Sequence, residues 1–341
     1  MKVIQWNASR KNQPMSGFKR YEDELYKNIK MQKKGIEIER VYRPDNPITG
    51  NTIASWFLTY KSVDADIVHA TIQTLAPVVY IRRPKRFIVT VLDLIPLLYP
   101  SILEKLQWIP TPRALKKVDG LIAISDFTKK ELIRVLGISE SKIYVVHLAA
   151  DRSRYRPMNK MECKQRLGLN TSEKHMLVLS SNNQNKRMDL VQKVFDDLRK
   201  RRNDIKLIKA GYAKELSGDG IINTGWVSEE DMPVLYNSAD VFLNTSEYEG
   251  FCLPVLEAMS CGVPVVVSNK ASIPEVVGTY GNMVDLDAHD VVKRFVDKIL
   301  SNIDIGLDEK ALAQSNKFSW EKTAEETIQV YDDIYEKLPL K

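Results

Sequence analysis

The chain has 341 residues, 44% of them hydrophobic and 28% charged, which suggests two domains at ~150 residues each and excludes a disordered chain. No apolar stretch approaches the ~20 residues of a helical membrane span, and three cysteines, Cys163, Cys252 and Cys261, suit neither a disulfide framework nor a zinc knuckle. The net charge of +6 is uneven: residues 1–150 carry 24 Lys and Arg against 14 Asp and Glu, and the remainder 26 against 30. The basic half is a candidate for an anionic partner, such as a phosphorylated acceptor or an acidic lipid surface. No RNA-binding aromatic signature, helix-turn-helix pattern or zinc-finger spacing accompanies it, so nucleic acid is not expected.

In chain order, Met1-Lys2-Val3-Ile4-Gln5-Trp6 reads as a first strand rather than a signal peptide. With so few cysteines, a reducing cytoplasm is the expected compartment. A helix follows. Phe18, Tyr21, Leu25 and Ile29 fall within an arc of about 80° at ~100° per residue. Lys19, Lys27, Lys30 and Lys34 occupy the opposite side as a ridge. That ridge and the cluster Arg82-Arg83-Pro84-Lys85-Arg86 make peripheral attachment to the inner membrane face an expectation.

Apolar runs then recur at Ile67–His69, Phe87–Val91, Leu121–Ile124 and Ile143–Val146. After the polar segment Asp151–Lys174 they restart at Met176–Leu179, Ile205–Ile208, Val241–Leu243 and Pro264–Val267. Short β-branched runs separated by helical periodicity predict parallel strands buried between helices, and the restart predicts two doubly wound, Rossmann-like α/β domains. Ligands of such sheets bind past the carboxyl ends of the strands. The residues there are His69, Asp93, Ser125, Ser181, Asn182, Gly211 and Thr245 to Gly250. Two Asp-x-Asp pairs, Asp64-Ala65-Asp66 and Asp285-Leu286-Asp287, invite a metal reading. The first precedes its strand and the second lacks a phosphate loop, so no metal is expected.

The richest stretch is Thr245 to Pro264. Val241–Leu243 is a strand, Pro254 suits a helix first turn, and Gly262 suits the residue after its end. The turn Gly250–Leu253 therefore sets backbone N–H groups at a helix N-terminus, an anion site by geometry. Glu249 and Glu257 flank it as acceptors for hydroxyl donors, meaning the sugars on either side of a diphosphate.

Here the sequence resembles the retaining glycosyltransferases of family 4. Their donor signature is Glu-Gly-Phe-Gly-Leu-Pro with Glu-Ala-Met eight residues after the first Glu, a spacing that Glu249 and Glu257 hold. Gly225-Trp226-Val227-Ser228, Leu235 to Asp240, Ser272 to Gly278, Ser16 to Tyr21, Asp93-Leu94-Ile95-Pro96 and Phe318-Ser319-Trp320-Glu321 extend the likeness over most of the chain. The resemblance implies a GT-B fold of two Rossmann-like domains facing a central cleft. An acceptor domain would span 1–155 and a nucleotide-sugar domain 156–317, with a C-terminal helix over 318–341 packing back on the first. It further implies Glu249 on donor-sugar hydroxyls, Glu257 on the ribose, and the amides of Gly250, Phe251, Cys252 and Leu253 on the sugar and diphosphate. Lys186 and Arg187 would face the phosphates, and Gly17 the diphosphate and acceptor. Gly225, Trp226 and Val227 would flank the base, and Arg20 would be a possible acceptor contact.

Three departures stand out. Cys252 replaces a usual Gly, Asn185-Lys186 replaces a usual Arg-Lys, and Leu92 replaces the His that commonly precedes Asp93. Asp93 is then the nearest polar group in the first domain, with His69 as a possible stand-in. The pattern looks most like mannosyltransferases using GDP-mannose, acting on a saccharide or lipid-linked acceptor without metal. The alternatives are UDP-glucose or UDP-N-acetylglucosamine as donor, a sugar-nucleotide epimerase, or a silent binding protein.

Overall fold

The computed structural model describes residues 1–13, 15–32, 35–43, 64–98, 108–180, 184–212 and 215–337. Lys34, Ser181 and Asn182 lie outside them. The chain forms two compact units, Met1–Leu148 with Ser319–Lys341, and Ala149–Phe318. The break falls a few residues before the expected boundary at 155.

The first unit holds strands β1 (Lys2–Asn7), β2 (Glu37–Tyr42), β3 (Ile67–Ala70), β4 (Phe87–Val91), β5 (Gly120–Ala123) and β6 (Ile143–Val145), with helices α1 (Gly17–Gln32) and α2 (Asp126–Leu136). Strand order is β2-β1-β3-β4-β5-β6, every pair parallel. All of β3, β4 and β5 is buried, which is why their sequences are continuous apolar runs rather than alternating ones. Helix α2 shows how local sequence sets its ends. Ser125 Oγ accepts from Thr128 N at 3.0 Å at the start, and Gly137 adopts φ 61° at the finish, donating to Ile133 O.

The second unit holds α3 (Lys160–Arg166), β7 (Lys174–Leu179), α4 (Met188–Arg201), β8 (Ile205–Ala210), β9 (Ile221–Gly225), α5 (Met232–Ser238), β10 (Val241–Asn244), α6 (Leu253–Ser260), β11 (Val265–Ser268), β12 (Met283–Val284), α7 (Val291–Asn302) and α8 (Glu309–Ser315). Its order is β12-β11-β10-β7-β8-β9, again all parallel. Counted from its own first strand this is 6-5-4-1-2-3, the dinucleotide-binding order.

Helix α9 (Trp320–Lys337) belongs to the first unit and packs on α1. Gln32 Nε2 donates to Glu321 O at 2.8 Å, and the Tyr21 and Trp320 rings sit 6.4 Å apart. Tyr331, fully buried, bonds the β3 histidine described below.

Candidate functional site

In the second sheet the strand order reverses between β7 and β10, and the crevice at such a reversal is where ligands bind. Two loops meet there, Gln184–Arg187 after β7 and Thr245–Glu249 after β10. They are stitched together. Asn185 Nδ2 donates to Tyr248 O at 2.7 Å, Glu247 N to Asn185 O at 2.8 Å, and Thr245 Oγ1 to Lys186 O at 2.9 Å. Asn185, where the family often carries a cation, is thus a buried clamp between loops. The clamp brings Lys186 Nζ to 2.6 Å from Glu249 Oε1, with both side chains mostly shielded from water. An ion pair so placed is little screened, and removing either partner would strand a charge.

Arg187 is held by carboxylates of its own neighbourhood. It sits in the left-handed region at φ 50° just before α4. Its guanidinium is held by Asp189 at 3.0 Å and by Glu247, and those carboxylates push its pKa up. In this structure it ties the β10 loop to α4.

The turn into α6 forms as the sequence predicts. Leu253 opens the helix with Pro254 behind it, and the first-turn N–H groups have no intrahelical acceptor by construction. Glu249 O accepts from Ser272 Oγ at 2.9 Å, which anchors the turn from below. Phe251 is a core residue, its ring 5.6 Å from Phe318, so only its backbone could serve a ligand. Cys252 stands at φ 70°, ψ 57°, a conformation that glycine adopts without cost. Burial, then the neighbouring Glu249 charge, push its thiol well above the ordinary value, so it stays neutral. Asn244 Nδ2 reaches its Sγ at 3.5 Å. Glu257 is buried one turn into α6 and accepts from Tyr236 Oη at 2.8 Å.

The edge of the site is set by two glycines. Gly211 follows β8 at φ 104°, and a Cβ there would lie 2.1 Å from Ser180 O. Its N–H donates to Gly225 O at 2.7 Å, fixing the start of the Gly225–Val227 loop, from which Trp226 projects with 55% of its surface exposed.

In the first unit the reversal falls between β1 and β3. Glu22 of α1 fills it. Its carboxylate accepts from Ala8 N at 2.7 Å, Ser9 N at 3.3 Å, and the hydroxyls of Ser9 and Thr71. Burial pushes its pKa up to about 7 against the opposing pull of these donors. Gly17 opens α1 and is exposed, whereas Arg20, one turn on, is buried rather than presented to solvent. Asp93 is half-buried, and Oδ1 accepts from Ile95 N at 3.0 Å. Gln73 clamps this turn from both sides, accepting from Leu92 N at 3.1 Å and donating to Asp93 O at 3.0 Å.

His69 corrects an expectation. It is fully buried, with Nε2 2.8 Å from Thr90 Oγ1 and Nδ1 2.7 Å from Tyr331 Oη. Tyr21 Oη meets the same threonine at 2.7 Å. The histidine links α1, β4 and α9 and has no nitrogen left for a ligand. The lysine ridge is also altered: Lys19 is only 7% exposed and pairs with Asp23 at 3.2 Å. In the basic cluster, Arg86 is buried, Arg83 meets Asp119 at 2.6 Å, and Lys85 meets Asp64 at 2.9 Å. The Asp-x-Asp pairs are engaged locally as well. Asp66 Oδ2 accepts from Lys2 N at 2.7 Å, and Asp287 pairs with Lys270.

Two family models match this chain: Glycosyltransferase Family 4 over residues 17–154, and Glycosyl transferases group 1 over residues 159–318. The chain belongs to the family 4 type of glycosyltransferases. It is 32% identical over 231 residues to O-antigen chain mannosyltransferase B of Escherichia coli, covering 62% of this chain and 60% of that protein. It is 26% identical over 237 residues to the MMP alpha-(1->4)-mannosyltransferase of Mycolicibacterium hassiacum, covering 64% of this chain and 55% of that one. The matches thus span little more than half the length of these curated relatives. Among solved structures, sucrose-phosphate synthase from Thermosynechococcus elongatus superposes with a TM-score of 0.79 at 16% identity, over 99% of this chain and 100% of that one. That likeness is one of fold, and the fold is GT-B.

Within this family 4 chain, four contacts lay outside the sequence reading: Tyr236 on Glu257, Glu247 on Arg187, the Gln73 clamp, and Glu22 at the first reversal. Only Glu22 carried a signal. On the α1 wheel it lies ~20° beyond Ile29, on the apolar side, where a carboxylate needs internal donors.

Proposed function

We propose that the chain is a retaining glycosyltransferase that moves mannose from GDP-mannose to a saccharide or lipid-linked acceptor. The observation that carries the reading is the Lys186–Glu249 pair at the strand reversal of the second unit, beside the opening turn of α6. A donor diphosphate offers Lys186 a stronger anionic partner and leaves Glu249 to accept from sugar hydroxyls. Glu257, preset by Tyr236, is suited to ribose hydroxyls. As the bond from the anomeric carbon to the diphosphate oxygen breaks, negative charge grows on the leaving group. Fixed N–H dipoles and the Lys186 ammonium stabilise it without reorganising. The acceptor oxygen attacks from the face the diphosphate leaves, and its proton passes to the departing phosphate oxygen. This scheme requires no metal, because Lys186 and the helix N-terminus already offset the charge. The mannose assignment is supported by the names of the two relatives.

The test is a panel of nucleotide sugars, each incubated with and without mannosyl acceptors, reading nucleoside diphosphate release and the anomeric configuration of the product by NMR. The reading expects GDP-mannose to be the best donor, an α-linked product, and turnover that survives EDTA. Release from UDP-sugars alone would reassign the donor. An inverted product, or activity lost in EDTA and restored by Mg²⁺, would overturn the mechanism.

A further inference from the structure

At the amino ends of β7, β10 and β11, away from the donor loops, the second unit holds a cavity of about 380 Å³. The four residues of β10 put ~13 Å of strand between its two ends. Three lysines line the cavity around one carboxylate. Asp240, nearly fully buried, lies 2.8 Å from Lys164 Nζ, 3.1 Å from Lys160 Nζ and 3.8 Å from Lys174 Nζ. Its Oδ2 also accepts from His175 N at 2.9 Å. Lys164 has a further acceptor in Glu173 O at 2.7 Å, while the Glu173 carboxylate turns to Lys206. Lys174 meets Asp304 at 3.0 Å, but Arg202 shares that carboxylate.

A single Lys–Asp pair would satisfy the fold here. Three ammonium groups around one buried carboxylate leave a positive surplus in a partly shielded cavity. Lys160 has only Asp240 for a charged partner among the described residues, and burial, with its two lysine neighbours adding, draws its pKa down. An added anion would relieve this repulsion. The lip of the cavity is apolar, with Met158, Met161 and Leu307 about half exposed. The volume lies at the small end of the ~300–1,000 Å³ range of ligand sites. Lysines as mobile point charges suit a phosphate better than a planar carboxylate fork.

We infer that this cavity is a second anion site, distinct from the donor site, taking the phosphate of a small phosphomonoester whose apolar body rests on the methionine lip. The test is isothermal titration of the full chain with hexyl phosphate and, separately, with inorganic phosphate. The expected result is saturable binding of hexyl phosphate, tighter than that of inorganic phosphate. It should weaken about tenfold in Lys160→Gln, the cost of one charged hydrogen bond, and persist in Lys186→Gln, which alters only the donor site. Met161→Glu, at a 49% exposed position where folding is not at stake, should weaken it similarly by repulsion. No saturable binding overturns the proposal, as does binding indifferent to both Lys160→Gln and Met161→Glu. Binding lost only in Lys186→Gln would place the ligand in the donor site and overturn it equally.

Discussion

The two sheets reverse their strand order at different places, and the chain treats the two reversals differently. Between β1 and β3 it fills the crevice with its own carboxylate, Glu22, fixed by four donors and shielded from water. Between β7 and β10 it sets a lysine against a glutamate, on loops clamped by side-chain bonds to each other's backbone. A strand reversal is thus closed by a helix carboxylate in one unit and bordered by an ion pair between two loops in the other. The difference lies in which element supplies the charge. Glu22 comes from a helix packed on the sheet, whereas Lys186 and Glu249 come from loops beyond the strand ends.

The largest effect should come from breaking the ion pair. Lys186→Ala is expected to lower turnover ~10²–10³-fold by removing a preorganised cation from the leaving group. It should also raise the donor KM. Initial rates over a donor series check this, and unchanged rate and KM would sever Lys186 from the chemistry. Glu257→Ala should weaken donor binding about tenfold, the usual worth of a charged hydrogen bond, and Tyr236→Phe by less, since it only orients the carboxylate. Competition by nucleoside diphosphate measures both, and equal losses would mean that Tyr236 acts on the fold.

The closed crevice is tested through pH. Glu22 has its folded pKa raised from 4.5 to about 7. Its stabilising contribution is therefore full below about 4.5 and declines as pH rises through about 7. His69 and His175, lowered by burial to about 3 and about 4, act in the opposite sense, losing stability as pH falls below 6.5. The difference between wild type and Glu22→Gln cancels the histidines. That difference should shift against the wild type between pH 5 and pH 8 in chemical denaturation. A difference independent of pH would show that Glu22 does not titrate in that range.

The smallest effect concerns the turn into α6. Cys252→Gly relieves a left-handed strain of ~1 kcal/mol but gives up buried side-chain contacts, so its stability should lie within about 1 kcal/mol of wild type. Cys252→Val, β-branched at φ 70°, should cost more than ~2 kcal/mol. Thermal melts that rank valine with glycine would show that the turn can relax.

The apolar runs placed nine of the twelve strands, because apolar burial is a local property of each run; β2, β9 and β12, which are short or partly exposed, were not among them. The sequence also located the turn into α6, since Pro254 and Gly262 punctuate its helix directly. What else was missed came from partners distant in sequence. His69 was read as lying past a strand end, but it sits inside β3, and its role depends on Tyr331, 262 residues away. Lys19 was correctly placed opposite the apolar stripe, yet Asp23 pairs with it and the Tyr42 ring lies 5.8 Å from its ammonium. Asn185 lay in the expected loop, but its use as a clamp follows from where the β10 loop returns.

Helix α9 also sets an order of assembly. During synthesis every strand of the second unit leaves the ribosome before Trp320 does, so that unit can close while the first is incomplete. Until α9 emerges, Tyr21 and His69 lack Trp320 and Tyr331, and a hydrophobic strip of the first unit stays open to water. The half that is made first is thus the half that finishes last, and its exposed face is where a chaperone would have to wait.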